Sequence, residues 1–145
     1  MKEIKGDLFE QDCDAICITT NGYIKKDGSC AMGAGCAWEA KERWKGMDHI
    51  LGELLSKYGN HVHIMGAELP YTVLSFPVKK VYWEFADIDL IQRSCEEVVQ
   101  IANENNWSKI IIPRPGCGNG GLKWEEVKPE IEPLLDDRFY IITNE

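Results

Sequence analysis

The sequence predicts a layered α/β fold, in which a central sheet is covered by helices on both faces. Segments with strand-like composition alternate with helix-like segments along the 145 residues, which is the pattern of α/β proteins. Two glycine-rich loops follow strand-like segments, where such folds collect their ligands. No repeat, low-complexity tract or proline-rich linker interrupts the pattern, so we expect one domain spanning residues 1–145.

Six segments have the composition of strands. They cover residues 1–5, 15–20, 62–65, 71–76, 109–113 and 138–143. The apolar, partly β-branched run 15–20 is typical of a strand buried on both faces. We expect this run and the preceding segment 1–5 to lie at the centre of the sheet.

Helices are predicted for residues 36–44, 47–58, 88–103 and, in parts, 124–135. Asp87 is a suitable N-cap for the third helix, in which apolar residues recur at helical spacing. Gly59 and Asn60 are expected to stop the second helix. Pro129 is expected to restart the fourth, because proline is favoured in a first helical turn.

Composition and charge limit the function classes. The formal net charge is −8, which disfavours bulk nucleic-acid binding because that needs clustered Lys and Arg. An anionic small ligand remains possible if backbone N–H groups receive its phosphates. No apolar run is long enough for a membrane span, and no secretion signal begins the chain, so we expect a soluble cytoplasmic protein.

The cysteines and histidines give no sign of a metal site or a disulfide framework. The six cysteines form no C-x-x-C pair, so free thiols are favoured over disulfides. His61 and His63 alternate around Val62, which fits a solvent-facing strand edge better than a metal site. We expect neither a metal nor a cofactor.

The segment 116–121, Gly-Cys-Gly-Asn-Gly-Gly, is suited to binding phosphate. Residues without a Cβ let the backbone approach a ligand and turn N–H groups towards an anion. The segment also matches G-x-G-x-x-G, but residues 122–145 leave room for one helix and one strand, too little for the rest of a dinucleotide fold. A tight turn without a ligand is the remaining alternative.

Taken together, five segments resemble the macrodomain family over nearly the whole chain. They are Gly6-Asp-Leu-Phe9, Ala15-Ile-Cys-Ile-Thr-Thr-Asn21, Met32-Gly-Ala-Gly35, Phe76-Pro-Val-Lys79 and Pro113-Arg-Pro-Gly-Cys-Gly-Asn-Gly-Gly-Leu-Lys-Trp124. The resemblance is to the branch of ADP-ribosyl glycohydrolases that act on proteins or on thymidine in DNA. It implies a three-layer α/β/α macrodomain with a mixed, mostly parallel sheet, and ADP-ribose or an ADP-ribosylated substrate as the partner.

The resemblance also implies roles for individual residues. Asp7 would accept a hydrogen bond from the adenine amino group with Leu8 packed alongside, and Asn21 would face the distal ribose. The first wall of the cleft would be Met32, Gly33, Ala34 and Gly35. The second loop, Pro115, Gly116, Cys117, Gly118, Asn119, Gly120 and Gly121, would wrap the diphosphate and distal ribose. Turn chemistry remains the alternative for Asp7 and Asn21, and a buried structural thiol for Cys117.

Lys79 is the candidate catalytic residue. By resemblance its amine would attack the anomeric carbon of the distal ribose, which requires a free lone pair that burial or a neighbouring cation such as Lys80 favours. The alternative is an ordinary solvated Lys-Lys pair at a strand end. The protein-directed relatives carry an aspartate where this chain has Gly120, which disfavours reversal of glutamate modification. Three functions therefore remain: a glycohydrolase, an ADP-ribose reader, and an ADP-ribose-1″-phosphate phosphatase.

Overall fold

The computed structural model describes all 145 residues and contains one six-stranded sheet. Its strands are β1 (Lys2–Lys5), β2 (Ala15–Asn21), β3 (Ile64–Gly66), β4 (Thr72–Lys79), β5 (Ile110–Pro113) and β6 (Phe139–Thr143). They lie in the order β1-β6-β5-β2-β4-β3. Every neighbouring pair is parallel except β3 and β4. The predicted mixed, mostly parallel sheet is confirmed.

Four α-helices connect the strands. They are α1 (Gly35–Arg43), α2 (Met47–Tyr58), α3 (Ile88–Asn105) and α4 (Trp124–Ile131), with short 3-10 turns at Leu8–Glu10, Gly118–Gly120 and Glu132–Leu134. Asp87 caps α3 as predicted, because its carboxylate accepts from the Asp89 amide at 2.9 Å. The prediction for Pro129 is wrong: it lies inside α4 and does not restart a helix.

The alternation of side chains along β2 produces the three layers. Ala15 and Cys17 belong to a core cluster with residues of α3 and α4, whereas Ile16 and Ile18 belong to a second cluster with residues of α1 and α2. All four side chains are completely buried. Successive residues of a strand point to opposite faces, so β2 supplies both cores and lies at the centre of the sheet.

Three sequence predictions about the strands need correction. β1 lies at an edge and not at the centre, since it pairs only with β6, and three of its four residues are exposed. β4 continues past Phe76 to Lys79, since β3 pairs only with Val73 and Leu74 and leaves an open edge where proline is tolerated. The edge strand β3 begins at Ile64, so His61 and His63 precede it.

The sheet topology brings three chain segments to one place. The adjacent parallel strands β5, β2 and β4 end at Pro113, Asn21 and Lys79. Parallel strands have their carboxyl ends at the same edge of a sheet, so the segments that follow these residues meet there. No helix in the structure combines the length and apolar character needed to cross a membrane.

Candidate ligand-binding cleft

A cleft with a volume of about 1080 Å³ lies at the carboxyl ends of these strands. Its walls come from both glycine-rich loops, the end of β4 and the segment after β2. Among the residues proposed from the sequence, those that line it are Asn21, Met32, Gly33, Ala34, Gly35, Lys79, Gly116, Cys117, Gly118, Asn119 and Gly120. The structure therefore brings together most of the candidate site.

The first loop presents the amino terminus of α1 to the cleft. Met32 is buried and anchors the loop in the core, while Gly33 has no atom within 4 Å of the position a Cβ would take. No side chain caps α1, and its first three residues, Gly35, Cys36 and Ala37, line the cleft. The first amides of a helix have no acceptor within it and carry its positive end. This wall is therefore suited to an anion.

The second loop is held by its own backbone and by the segment before α3. The Leu122 amide donates to the Gly116 carbonyl at 3.0 Å, and the Ala86 amide donates to the Gly120 carbonyl at 2.9 Å. Gly116 has a φ of +78°, and a Cβ there would lie 2.7 Å from Ile91 Cδ1. Only glycine fits this position.

The amides of Gly118, Asn119 and Gly120 begin a 3-10 turn that no side chain caps. Gly118 has a φ of +69° and open space around it. Gly118, Asn119 and Gly120 line the same cleft as the first residues of α1, so both loops contribute backbone N–H groups to its lining. The loops are also close: a Cβ on Gly35 would lie 3.3 Å from the Asn119 side-chain nitrogen.

Lys79 places its amine at the end of the cleft where β4 meets the second loop. Its Nζ donates to the Asn119 carbonyl at 3.0 Å and to the Tyr82 carbonyl at 3.3 Å. The residue is half-buried, whereas Lys80 is exposed and does not line the cleft. The Lys79 side chain therefore lines the site, which Lys80 does not.

Asn21 lines the cleft, but its side chain is bonded within the protein. Its Nδ2 donates to the Ala31 carbonyl at 2.9 Å, and its Oδ1 accepts from the Tyr23 amide at 2.9 Å. These bonds hold the segment after β2 against the first loop. The turn chemistry considered for Asn21 is thus present in the structure.

The charge of the cleft differs from that of the whole chain. The sequence has 24 acidic and 16 basic residues, yet no Asp or Glu lines the cleft. Its cations are Lys25, Lys26, Lys41, Lys79 and Arg114. Sequence analysis missed all of these except Lys79, although Arg114 follows β5 directly and could have been found from that position. A cleft without carboxylates in an acidic protein is suited to an anionic ligand.

Asp7 and Leu8 lie in an adjoining pocket of about 870 Å³. The two pockets share Gly35, Cys36, Pro113, Arg114 and Cys117, so they form one continuous groove. Asp7 caps a 3-10 turn by accepting from the Phe9 amide at 2.9 Å, and its exposed carboxylate has capacity for further hydrogen bonds. The groove thus extends from the lysine end, past the glycine loops, to a pocket whose lining includes the acidic residues Asp7, Glu39, Glu125 and Glu145.

Three other residues lie beside the groove. Pro115 is buried and Gly121 packs against Phe85, and neither lines the cleft or the adjoining pocket. Trp83 also does not line the cleft, but its ring contacts Tyr23 and Tyr82, which do. Pro115 and Gly121, both proposed from the sequence, therefore shape the second loop, and Trp83 packs against two aromatic residues at the lysine end of the cleft.

The cysteines in the groove do not have the properties of nucleophiles. All six cysteines are free, and burial raises the pKa of both Cys36 and Cys117. Thr19 Oγ1 lies 3.3 Å from Cys36 Sγ. Because a thiol reacts as its thiolate, a raised pKa favours the structural role considered for Cys117.

The family model described as "Macro domain" matches residues 19–131 of the chain. The chain is 27% identical over 136 residues to ADP-ribose glycohydrolase OARD1 from Homo sapiens, covering 92% of this chain and 82% of that protein. It is 26% identical over 134 residues to the DNA ADP-ribosyl glycohydrolase of Mycobacterium tuberculosis, covering 87% of this chain. The chain spans only 36% of the length of that second relative.

Solved structures have the same fold. The macrodomain of Mycobacterium tuberculosis DarG superposes with a TM-score of 0.83 at 23% identity, covering 97% of this chain and 95% of that one. Thermosipho africanus DarTG in complex with ADP-ribose superposes with a TM-score of 0.80 at 19% identity, covering 97% of this chain and 41% of the other.

Proposed function

Because the chain belongs to the macrodomain family, we propose that it binds ADP-ribose along the groove and hydrolyses an ADP-ribosyl linkage at its lysine end. The observation that carries this proposal is the contrast between an acidic chain and a cleft lined by cations and backbone amides, without one carboxylate. An ADP-ribose complex of a protein with the same fold supports it.

The groove offers a place for each part of the ligand. The amino terminus of α1 and the Gly118–Gly120 turn would receive the diphosphate between them. The adenine would lie in the adjoining pocket, where Asp7 accepts from its amino group and Leu8 packs alongside. The distal ribose would then lie beside Lys79, which is the candidate nucleophile.

Lys79 would act on the anomeric carbon of that ribose. After its amine loses a proton, the Nζ–C1″ bond forms as the bond from C1″ to the acceptor breaks. The acceptor keeps the electron pair of that bond and takes up a proton. Water then replaces Nζ at C1″, which releases ADP-ribose and restores the amine. The net change is hydrolysis of one ADP-ribosyl linkage, with no cofactor consumed.

Ligand binding tests the foundation of the proposal. In calorimetry, we expect ADP-ribose to bind at least about 10-fold more tightly than AMP, because AMP cannot contact both the diphosphate cradle and the lysine end. NAD is measured as a third ligand, because its nicotinamide is bonded to the distal ribose at C1″, where an ADP-ribosylated substrate carries its acceptor. Tighter binding of AMP than of ADP-ribose would contradict the assignment of the groove.

The rim near Lys79 favours a nucleotide as the acceptor. Tyr23 and Tyr82 pack edge to face with ring centroids 5.3 Å apart, and Tyr82 is 54% exposed. Lys25 and Lys26 lie on a turn closed by a hydrogen bond from the Lys25 amide to the Ser29 carbonyl at 2.7 Å. Exposed aromatic rings stack on bases and nearby lysines attract phosphates. A relative with the name DNA ADP-ribosyl glycohydrolase is consistent with such an acceptor.

Acceptor preference can be measured directly. We expect release of ADP-ribose from a modified single-stranded oligonucleotide to be about 10-fold faster than from a modified protein glutamate, with the difference shrinking as salt screens the lysines. Changing Lys25 and Lys26 together to serine should remove most of the preference. Faster release from the protein substrate, unaffected by salt, would contradict the nucleotide assignment.

Recognition of ADP-ribose without turnover is the second candidate. The absence of any carboxylate from the cleft favours it, because no acidic side chain there can take a proton from water. By resemblance, Gly120 stands where the protein-directed relatives carry an aspartate, and even a Cβ there would lie 3.1 Å from Ala86 Cβ. Substitution of Lys79 separates an enzyme from a reader, because only an enzyme loses turnover.

A further inference from the structure

Asn60 lies against the ends of β2 and β4, where it contacts Gly22 and Lys79. It follows the last turn of α2 and precedes β3. Its Nδ2 donates to the main-chain carbonyl of Lys79 at 3.1 Å. Its Oδ1 is buried and has no hydrogen-bond partner. A buried polar atom without a partner is costly and needs an explanation.

The surroundings of Asn60 are shaped to admit this side chain. A Cβ on Gly22 would lie 2.8 Å from Asn60 Cγ and 3.1 Å from the Lys80 carbonyl. Any larger residue at Gly22 would displace the amide. The pairing of β2 with β4 also becomes irregular here, because Thr20 is opposite Pro77 while Asn21 is opposite Lys79. The regular ladder is therefore interrupted at Val78. Main-chain bonds hold the residues on either side of Lys79, since the Gly22 amide donates to the Lys80 carbonyl at 3.0 Å and the Asp87 amide donates to the Val78 carbonyl at 2.9 Å, and Asn60 adds a bond to Lys79 itself.

The main chain of Asn60 is anchored independently on α3. The Arg93 guanidinium donates to the Asn60 carbonyl. Glu97 accepts from the Val62 amide at 2.9 Å and bonds the His61 ring at 2.7 Å. These contacts fix the segment from the Asn60 carbonyl to Val62, so the Asn60 side chain is supported from α3.

We infer that Asn60 is a positioning residue, which fixes the main chain of Lys79 where β4 becomes irregular and so directs the lysine amine at the distal ribose. The inference rests on the proposed role of Lys79. Lys79 is held at both ends, by Asn60 at its carbonyl and by the carbonyls of Asn119 and Tyr82 at its amine. Asn60 makes no contribution to the loops that would hold the diphosphate.

A comparison of turnover with binding tests this role. In Asn60→Ala we expect kcat for ADP-ribose release to fall about 10- to 100-fold, because small displacements of a reacting group have effects of this size. KM and the Kd for ADP-ribose should stay within about twofold. Asn60→Leu, which has nearly the same volume, removes the donor and introduces no buried charge, should behave in the same way and serves if the alanine variant folds poorly.

Asp14→Ala controls for lost stability. The Asp14 carboxylate accepts from the Ser108 and Lys109 amides at the amino-terminal ends of β2 and β5, away from the cleft. Its removal should therefore lower the unfolding temperature without lowering kcat. An equal loss of kcat in Asp14→Ala would overturn the positioning role. Normal kcat in both Asn60 variants, together with an inactive Lys79→Ala variant, would also overturn the positioning role. That result would leave the proposed function intact.

A double substitution completes the test. If Asn60 acts through the lysine, Asn60→Ala in the Lys79→Ala background should cause no further loss of rate. An additional loss of the same size as in the single variant would overturn the inference. Full activity of Lys79→Ala alone would instead reject the nucleophile, so the two failures are distinguishable.

Discussion

Replacing Lys79 by alanine is expected to slow release of ADP-ribose from a modified substrate by about 1000-fold or more, because loss of a nucleophile removes the covalent route. The Kd for ADP-ribose should change by no more than about threefold, since we propose that backbone amides receive the diphosphate, and the Lys79 amine donates to the Asn119 and Tyr82 carbonyls. Single-turnover kinetics and calorimetry on the same preparations measure the two quantities.

Lys45→Ala is the matched control, because Lys45 is exposed and lies outside the groove. A covalent intermediate gives a second readout. A ribose carried on Nζ is in equilibrium with an imine, so reduction with cyanoborohydride during turnover should fix ADP-ribose on Lys79, as peptide mass spectrometry would show. If Lys79→Ala releases ADP-ribose at the rate of the unchanged protein, Lys79 is not the nucleophile. If neither protein releases it while both bind ADP-ribose, the result favours the reader function.

The elements predicted well are those whose sequence pattern is set locally. The buried run of β2 and the amphipathic α3 with its Asp87 cap follow from hydrophobic periodicity and capping, which need no knowledge of distant residues. The position of a strand in the sheet is different. β1 lies at the edge because of its pairing with β6, near the end of the chain, and no local pattern specifies that contact.

The candidate site divides in the same way. The glycine loops could be found from sequence, because missing side chains at strand ends predict backbone donors. The cationic lining could not, since Lys25, Lys26 and Lys41 reach the cleft only through the turn after β2 and the orientation of α1. The sequence identifies Asn60 only as a residue that stops α2. Its contact with Lys79 spans 19 residues, and no local pattern indicates it.

Replacing Gly33 by leucine is expected to weaken binding of ADP-ribose about 100-fold, or about 2.7 kcal/mol, while the unfolding temperature changes by no more than about 2 °C. Gly33 lines the cleft, its φ is not in the left-handed region, and no atom lies within 4 Å of the position that a Cβ would take. The added side chain therefore meets no protein atom at its base and occupies space that the ligand needs.

A substitution at Gly33 changes ligand binding without disturbing the fold, which a substitution at Gly116 in the second loop cannot do. At Gly116 any side chain is strained by the φ of +78° and meets Ile91, so lost binding there could follow from lost structure. Ser56→Leu, on the exposed side of α2, controls for an added surface leucine and should bind ADP-ribose normally. Gly33→Ala should give an intermediate Kd. A folded Gly33→Leu protein with unchanged affinity would mean that the diphosphate does not lie between the two loops, and the positions proposed for the adenine and the distal ribose would fail with it.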